Sequence, residues 1–172
     1  IYGFLSTLHA CLIKKYDFIL FVGTAHGPFG IFTKLFRIKT AINTDGLDWK
    51  RPKWKGLGSK VLYLCSYLCT KLFDVRISDS LEMQKIYKKQ FNSSSIFIPY
   101  GGNIRYSSQL ELINQFNIEK NNYYLIVGRL IADNNSDYIL NEFINSDSNK
   151  KILVVGDDPY NSSFSINIKK LE

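Results

Sequence analysis

With 172 residues, 45% of them hydrophobic and 15% aromatic, the chain holds apolar material for one domain or parts of two, which excludes intrinsic disorder. Eleven glycines and four prolines exclude collagen-like or linker composition. Twenty-two basic side chains against 15 acidic ones leave a formal charge of +7, which favours an anionic partner.

Ile1 is not a start methionine, and the chain opens inside a stretch, Gly3 to Lys15, that reads as a helix, so the sequence is read as a fragment without a signal peptide. Tyr16 to Gly23 is a continuous apolar run, expected of a parallel strand buried on both faces. The apolar stretch from Phe18 to Phe32 is interrupted by His26, Pro28 and three glycines, which leaves it short of the roughly 20 residues of a membrane span. Thr24 to Pro28 reads as a loop, Phe29 to Phe36 as a short helix, and Lys39 to Asn43 as a second strand stopped by Thr44-Asp45-Gly46. Leu57 to Phe73 has the spacing of a helix with a wide buried face. Val75 to Ser78 is a third strand, and Asp79-Ser80-Leu81-Glu82 resembles a capping box opening a helix to about Phe91. Ser95 to Pro99 reads as a fourth strand.

Gly, Asn, Ser and Gln then dominate from Gly101 to Asn122 around a weak helical stretch, Gln109 to Phe116. Residues 105–122 are therefore the expected junction between a first domain, 1–104, and a second, 123–172. In the second, strands Tyr123 to Val127 and Lys151 to Val155 flank a helix, Ser136 to Asn145, as one βαβ unit. The alternation predicts an α/β fold on both sides of the junction. Cys11, Cys65 and Cys69 lack metal-site spacing and read as buried free thiols of a reducing cytoplasm.

Residues 34–60 carry +6 of the total charge, with eight Lys or Arg against Asp45 and Asp48. Here both tryptophans, Trp49 and Trp54, are interleaved with Lys50, Arg51, Lys53 and Lys55. Cations beside indole rings suit phosphates or a membrane interface, and a solvated basic loop is an equally good reading. No helix-turn-helix, zinc-knuckle or ribonucleoprotein pattern accompanies the patch, so nucleic acid is not the expected partner.

Ligands of open parallel sheets bind beyond the carboxyl ends of the strands, which draws the loops after Gly23, Asn43, Ser78, Ile98 and Val127 to one functional rim. Gly128-Arg129, beside the free N–H groups of the helix that Asp133-Asn134-Asn135-Ser136 leads into, could hold a diphosphate; an N-cap at Asn135 or Ser136 and an Arg129–Asp133 ion pair explain the same residues. Asp45 at a strand end could orient or deprotonate a hydroxyl, and Gly46 would admit a ligand close to the backbone, although Asp-Gly is also a common turn. His26 lies in a Gly-rich rim loop and could equally be structural. The absence of a P-loop, a Gly-x-Ser-x-Gly and a Cys-x-x-Cys motif disfavours an NTPase, an α/β-hydrolase and a zinc site.

In order, the blocks TDGLDWKRPKW (44–54), Ile77-Ser78-Asp79-Ser80, Ile98-Pro99-Tyr100-Gly101 and Val127-Gly128-Arg129-Leu130 with Asn134-Asn135 resemble the bacterial rhamnosyltransferase branch of glycosyltransferase family four. The resemblance implies a GT-B architecture of two Rossmann-like domains facing a cleft, acceptor on the N-terminal side and nucleotide sugar on the C-terminal side. It further implies metal-independent, retaining transfer of L-rhamnose from dTDP-L-rhamnose to a lipid-linked cell-wall or capsular polysaccharide precursor, with no cofactor. Asp45 is then the catalytic candidate. Gly46, Asp48, Trp49, Lys50, Arg51, Trp54 and His26 fall on the acceptor side, and Arg129, Asn134 and Asn135 hold the donor diphosphate. The basic loop would meet an anionic membrane peripherally, at the cytoplasmic face. Since the family's late Glu-x7-Glu motif has no counterpart before Glu172, the fragment alone is expected to be inactive. The alternative is a non-catalytic module that binds nucleic acid or an anionic membrane through the same loop.

Overall fold

The computed structural model describes residues 1–14, 16–51, 53–104, 106, 111–158 and 162–170. They form two compact units, Ile1–Gly102 and Asn103–Glu172, both α/β with parallel strands.

The first unit is a four-stranded sheet in the order β1 (Phe18–Val22), β2 (Lys39–Asn43), β3 (Val75–Ser78) and β4 (Ile96–Phe97). All three pairings are parallel. The helices are α1 (Tyr2–His9), α2 (Gly30–Leu35), α3 (Leu57–Leu72) and α4 (Leu81–Phe91). A π turn at Ala10–Lys14 continues α1, and the expected Thr24–Pro28 loop is a 3-10 turn, Thr24–Phe29. Phe21, Ile42, Cys69 and Phe73 form one buried cluster, where α3 lies on the sheet.

Against expectation, β1 is buried on one face only. Ile19 and Phe21 turn inward while Phe18, Leu20 and Val22 are exposed, because among the described residues no helix covers the second face of β1. Among the described strands β2 alone buries three residues in a row, Thr40 to Ile42; β3, likewise paired on both sides, fully buries Ser78. Strand β4 is also shorter than its apolar run suggests. It borders only the four-residue β3, and Pro99 has no N–H to extend the ladder.

The 3-10 turn crosses α3 so closely that a Cβ on Gly27 would collide with the Cys65 carbonyl. Cys69 is fully buried beneath this crossing and donates its thiol to the Thr24 carbonyl, 3.4 Å. Burial pushes its pKa up to about 12, the state of an unreactive packing group. Gly27→Ala must push two backbones apart and is expected to cost about 2 to 3 kcal/mol, read as a lower urea midpoint. An unchanged midpoint would show that the crossing yields freely.

A second cluster joins Trp49, Met83, Tyr87 and Phe91, with Leu47 and Leu62 packed against it. The cap of α4 falls one residue later than Asp79-Ser80-Leu81-Glu82 suggests. The Ser80 hydroxyl accepts from the Met83 N–H, 3.2 Å, and Glu82 pairs with Lys85. Asp79 is left outside the helix.

The second unit contains α5 (Glu111–Asn114), β5 (Tyr123–Val127), α6 (Ser136–Ile144), β6 (Lys151–Val155) and α7 (Ser163–Ile168). Most of the expected helical start at Gln109 lies outside the described residues. Strands β5 and β6 pair in parallel, and Leu130, Leu140 and Ile168 form the core with Ile126, Ile152, Val154 and Phe164 around them. At the strand ends a Cβ on Gly156 would overlap the Gly128 carbonyl, so only glycine allows this approach. No helix among the described residues is long and apolar enough to cross a membrane.

Candidate functional site

In the first unit the carboxyl rim is organised by β2 and β3. Their register pairs Ala41 with Val75, Ile42 with Arg76 and Asn43 with Ile77. Beyond the last pair the Thr44 N–H donates to the Ile77 carbonyl at 2.8 Å, and Asp45 and Asp79 follow at the two strand ends, near enough for their side chains to interact. The hydroxyl pair is buried, whereas Asp45 is exposed and Asp79 half-buried. Thr44 Oγ1 donates to the Ile77 carbonyl at 3.0 Å and lies 3.2 Å from Ser78 Oγ, which in turn lies 2.8 Å from Ser95 Oγ. Gln84 Nε2 holds the Ser95 carbonyl at 2.6 Å, and Asn43 Nδ2 reaches the Tyr100 hydroxyl at 3.1 Å. The ends of β2 and β3 are thereby tied to the residues on either side of β4.

The carboxyl pKa of Asp45 is raised. Partial burial is the largest cause, followed by repulsion from Asp79; Arg51 pulls it back down, while Asp48 and a hydrogen bond with Asp79 add to the rise. A carboxylate raised in this way is a stronger base than an ordinary one. Asp79 is the functional candidate that sequence reasoning missed. The available signal was the repeat of Thr-Asp and Ser-Asp at the ends of two strands.

The segment after Asp45 turns so that its charges and its apolar residues part. Gly46 has φ +75°, and a Cβ there would stand 3.2 Å from Arg51 Nη2, so glycine serves both the turn and the approach of the guanidinium. Arg51 Nε binds Asp48 Oδ1 at 3.1 Å across a 3-10 turn, Asp48–Lys50. Asp45, Gly46, Asp48 and Arg51 thus converge with Asp79, while Leu47 and Trp49 turn into the core.

Trp49 is not an exposed platform. Only 8% of it is accessible, and its indole packs edge-on against Tyr63, Tyr87 and Phe91. Trp54 is the exposed indole, at 43%, with Lys53 Nζ 5.7 Å from its ring centroid. Lys50 is exposed beside them. His26 sits apart from the acids: its Nδ1 lies 3.2 Å from the Gly23 carbonyl, its ring meets Phe29 edge-on, and it walls a cleft of about 270 Å³ with Tyr2, Thr7 and Val22. A larger cleft, about 400 Å³, lies at the opposite end of the sheet before β1 and β2, lined by Cys11, Tyr16, Asp17 and Arg37.

In the second unit Arg129 follows β5 on an exposed turn, and among the described residues it forms no ion pair with Asp133. Asn134 is committed to structure, since its Nδ2 donates to the Arg129 carbonyl at 2.7 Å. Asn135 occupies the position before α6 in the left-handed region without a side-chain cap bond. The helix start presents backbone N–H groups, with Asp137 in its first turn opposing an anion.

This parallel α/β framework is shared with a solved structure. The structure of sucrose-phosphate synthase from Thermosynechococcus elongatus superposes with a TM-score of 0.68 at 14% identity, over 97% of this chain and 43% of that one. The chain therefore spans less than half the length of that enzyme. Residues 14–103 match the family described as a domain of unknown function, DUF1972, and the chain belongs to that family. No curated protein sequence matches it.

Proposed function

We propose that the chain is part of a GT-B glycosyltransferase that moves L-rhamnose from dTDP-L-rhamnose to a lipid-linked cell-wall or capsular polysaccharide precursor, with retention at the anomeric carbon. The observation that carries this reading is the strand-end carboxyl of Asp45, raised in pKa beside Asp79 and flanked by Arg51, on a glycosyltransferase-like fold. Asp45 would orient or deprotonate the acceptor hydroxyl, and Arg51 with Lys50 would steer an acceptor pyrophosphate. On the donor side Arg129 and the amides at the start of α6 would stabilise charge on the departing diphosphate without a metal. Asn134 would act by holding the Arg129 backbone. The preference for rhamnose rests on the sequence blocks 44–54 and 127–135.

Enzyme containing this chain, supplied with dTDP-L-rhamnose and competing UDP- and GDP-sugars, is expected to consume the dTDP sugar. Preference for another donor would keep the transferase and replace the sugar. Arg129→Ala is expected to lower transfer about a hundredfold, and full retention would remove Arg129 from the diphosphate role. Attachment to the cytoplasmic face of the membrane, through the basic segment around Trp54, belongs to the same reading.

A further inference from the structure

We propose that the outward face of α3, together with Trp54 beside it, is a docking surface for an anionic lipid bilayer. From Trp49 to Phe73 the sequence has no Asp or Glu and six cations. Helix α3 buries Cys65, Ser66 and Cys69 on one side. On the other side Leu57, Val61 and Leu64 stand 78%, 50% and 54% exposed. Steps of four and three place these three residues on one stripe. Lys60 and Lys71 lie on the same outward face, and Lys71 Nζ sits 5.4 Å from the Tyr67 ring centroid.

Trp54 adds an exposed indole beside the helix start. A Cβ on Gly58 would stand 3.4 Å from Trp54 Cε3, so the indole leans on the first turn of α3. The Ser59 hydroxyl donates to the Trp49 carbonyl at 2.6 Å and ties the basic segment to the same turn. Leu57, Val61 and Leu64 thus form one ridge, with Trp54 exposed beside its first turn and Lys53, Lys55, Lys60 and Lys71 around it.

The chemistry of the ridge selects its occupant. Lysines without intervening acids require negative charge, and aliphatic side chains at the centre require an apolar interior behind that charge. A lipid surface offers both: the indole and leucines enter the headgroup boundary while lysine stems lie along it with their ammonium groups outward. Single-stranded nucleic acid would call for rings along the centre of the ridge, where the side chains are the aliphatic Leu57, Val61 and Leu64; the exposed rings of Trp54, Tyr63 and Tyr67 stand beside them. The proposal deepens the transferase reading by placing membrane contact on α3, but its geometry is independent of the chemistry at Asp45.

The test is cosedimentation of the protein with vesicles of phosphatidylglycerol in phosphatidylcholine and with vesicles of phosphatidylcholine alone. Binding is expected only to the anionic vesicles, and Leu64→Glu is expected to weaken it about tenfold or more. Lys53→Glu with Lys60→Glu should weaken it by about fivefold or more per site, with a steeper loss in salt. Both variants alter exposed side chains, and an unchanged melting temperature would verify their folding. Transfer to a water-soluble acceptor analogue should survive Leu64→Glu.

Equal binding by wild type and Leu64→Glu would overturn the proposal. So would self-association abolished by Leu64→Glu, which would assign the ridge to a second copy, or preferential capture of single-stranded oligonucleotide. Transfer without vesicle binding would sink the docking surface alone; vesicle binding without transfer from any nucleotide sugar would sink the enzyme reading alone.

Discussion

Asp45→Asn is expected to lower transfer about a thousandfold, the scale on which a positioned base acts, with little change in KM for the nucleotide sugar. The pH profile separates this role from a merely structural one. Asp45 retains its proton to higher pH than an ordinary carboxyl, so the acid limb of kcat/KM should lie above the usual range of about 4. Activity is lost as pH falls through that limb because the base becomes protonated. Asp79→Asn removes the repulsion that raises Asp45, and the limb should move to lower pH. Arg51→Gln removes the attraction that lowers Asp45, and the limb should move up. Retained activity in Asp45→Asn would leave this carboxylate a turn former, and a limb unmoved by Asp79→Asn would mean that the two acids titrate independently.

The parallel strands were legible because their apolar runs end at Gly, Asp or Pro, and the α/β alternation follows from those boundaries. Which faces would be covered was not legible. The run FILFV is as apolar as a strand covered on both faces, yet β1 exposes every second residue because no described helix lies on that face. Near the rim, Asp45 was legible as a strand-end acid, whereas Asp79 was hidden by its own surroundings. Asp-x-x-Glu suggested a helix cap, but the adjacent Ser80 hydroxyl reaches the Met83 N–H, and Asp79 stands across the sheet from Asp45. That pairing depends on contact between residues 34 positions apart, which local pattern does not encode. The two tryptophans show the same limit: composition treats Trp49 and Trp54 alike, and a single turn of 3-10 helix separates their fates.

That separation sets up the largest expected effect on stability. Trp49→Ala should cost about 3 to 5 kcal/mol in the unfolding of the first unit, the range for deleting a buried aromatic, whereas Trp54→Ala should stay within about 0.5 kcal/mol. The indole of Trp49 meets Tyr63, Tyr87 and Phe91 at centroid distances of 5.7, 6.1 and 5.9 Å, and truncation would open a cavity among rings that are also packed on one another. The loss should reach the rim as well. Leu47 and Trp49 hold the turn that carries Asp48 and Arg51, so release of the indole frees the guanidinium that lies over Gly46. Trp49→Phe, which keeps an aromatic anchor, should recover most of both the stability and the Arg51-dependent position of the acid limb. Iodide quenching distinguishes the two indoles directly: Trp54, exposed among lysines, should be quenched strongly and Trp49 hardly at all. Equal quenching of both, with equally small stability losses, would place Trp49 at the surface and detach the Asp45 loop from the core.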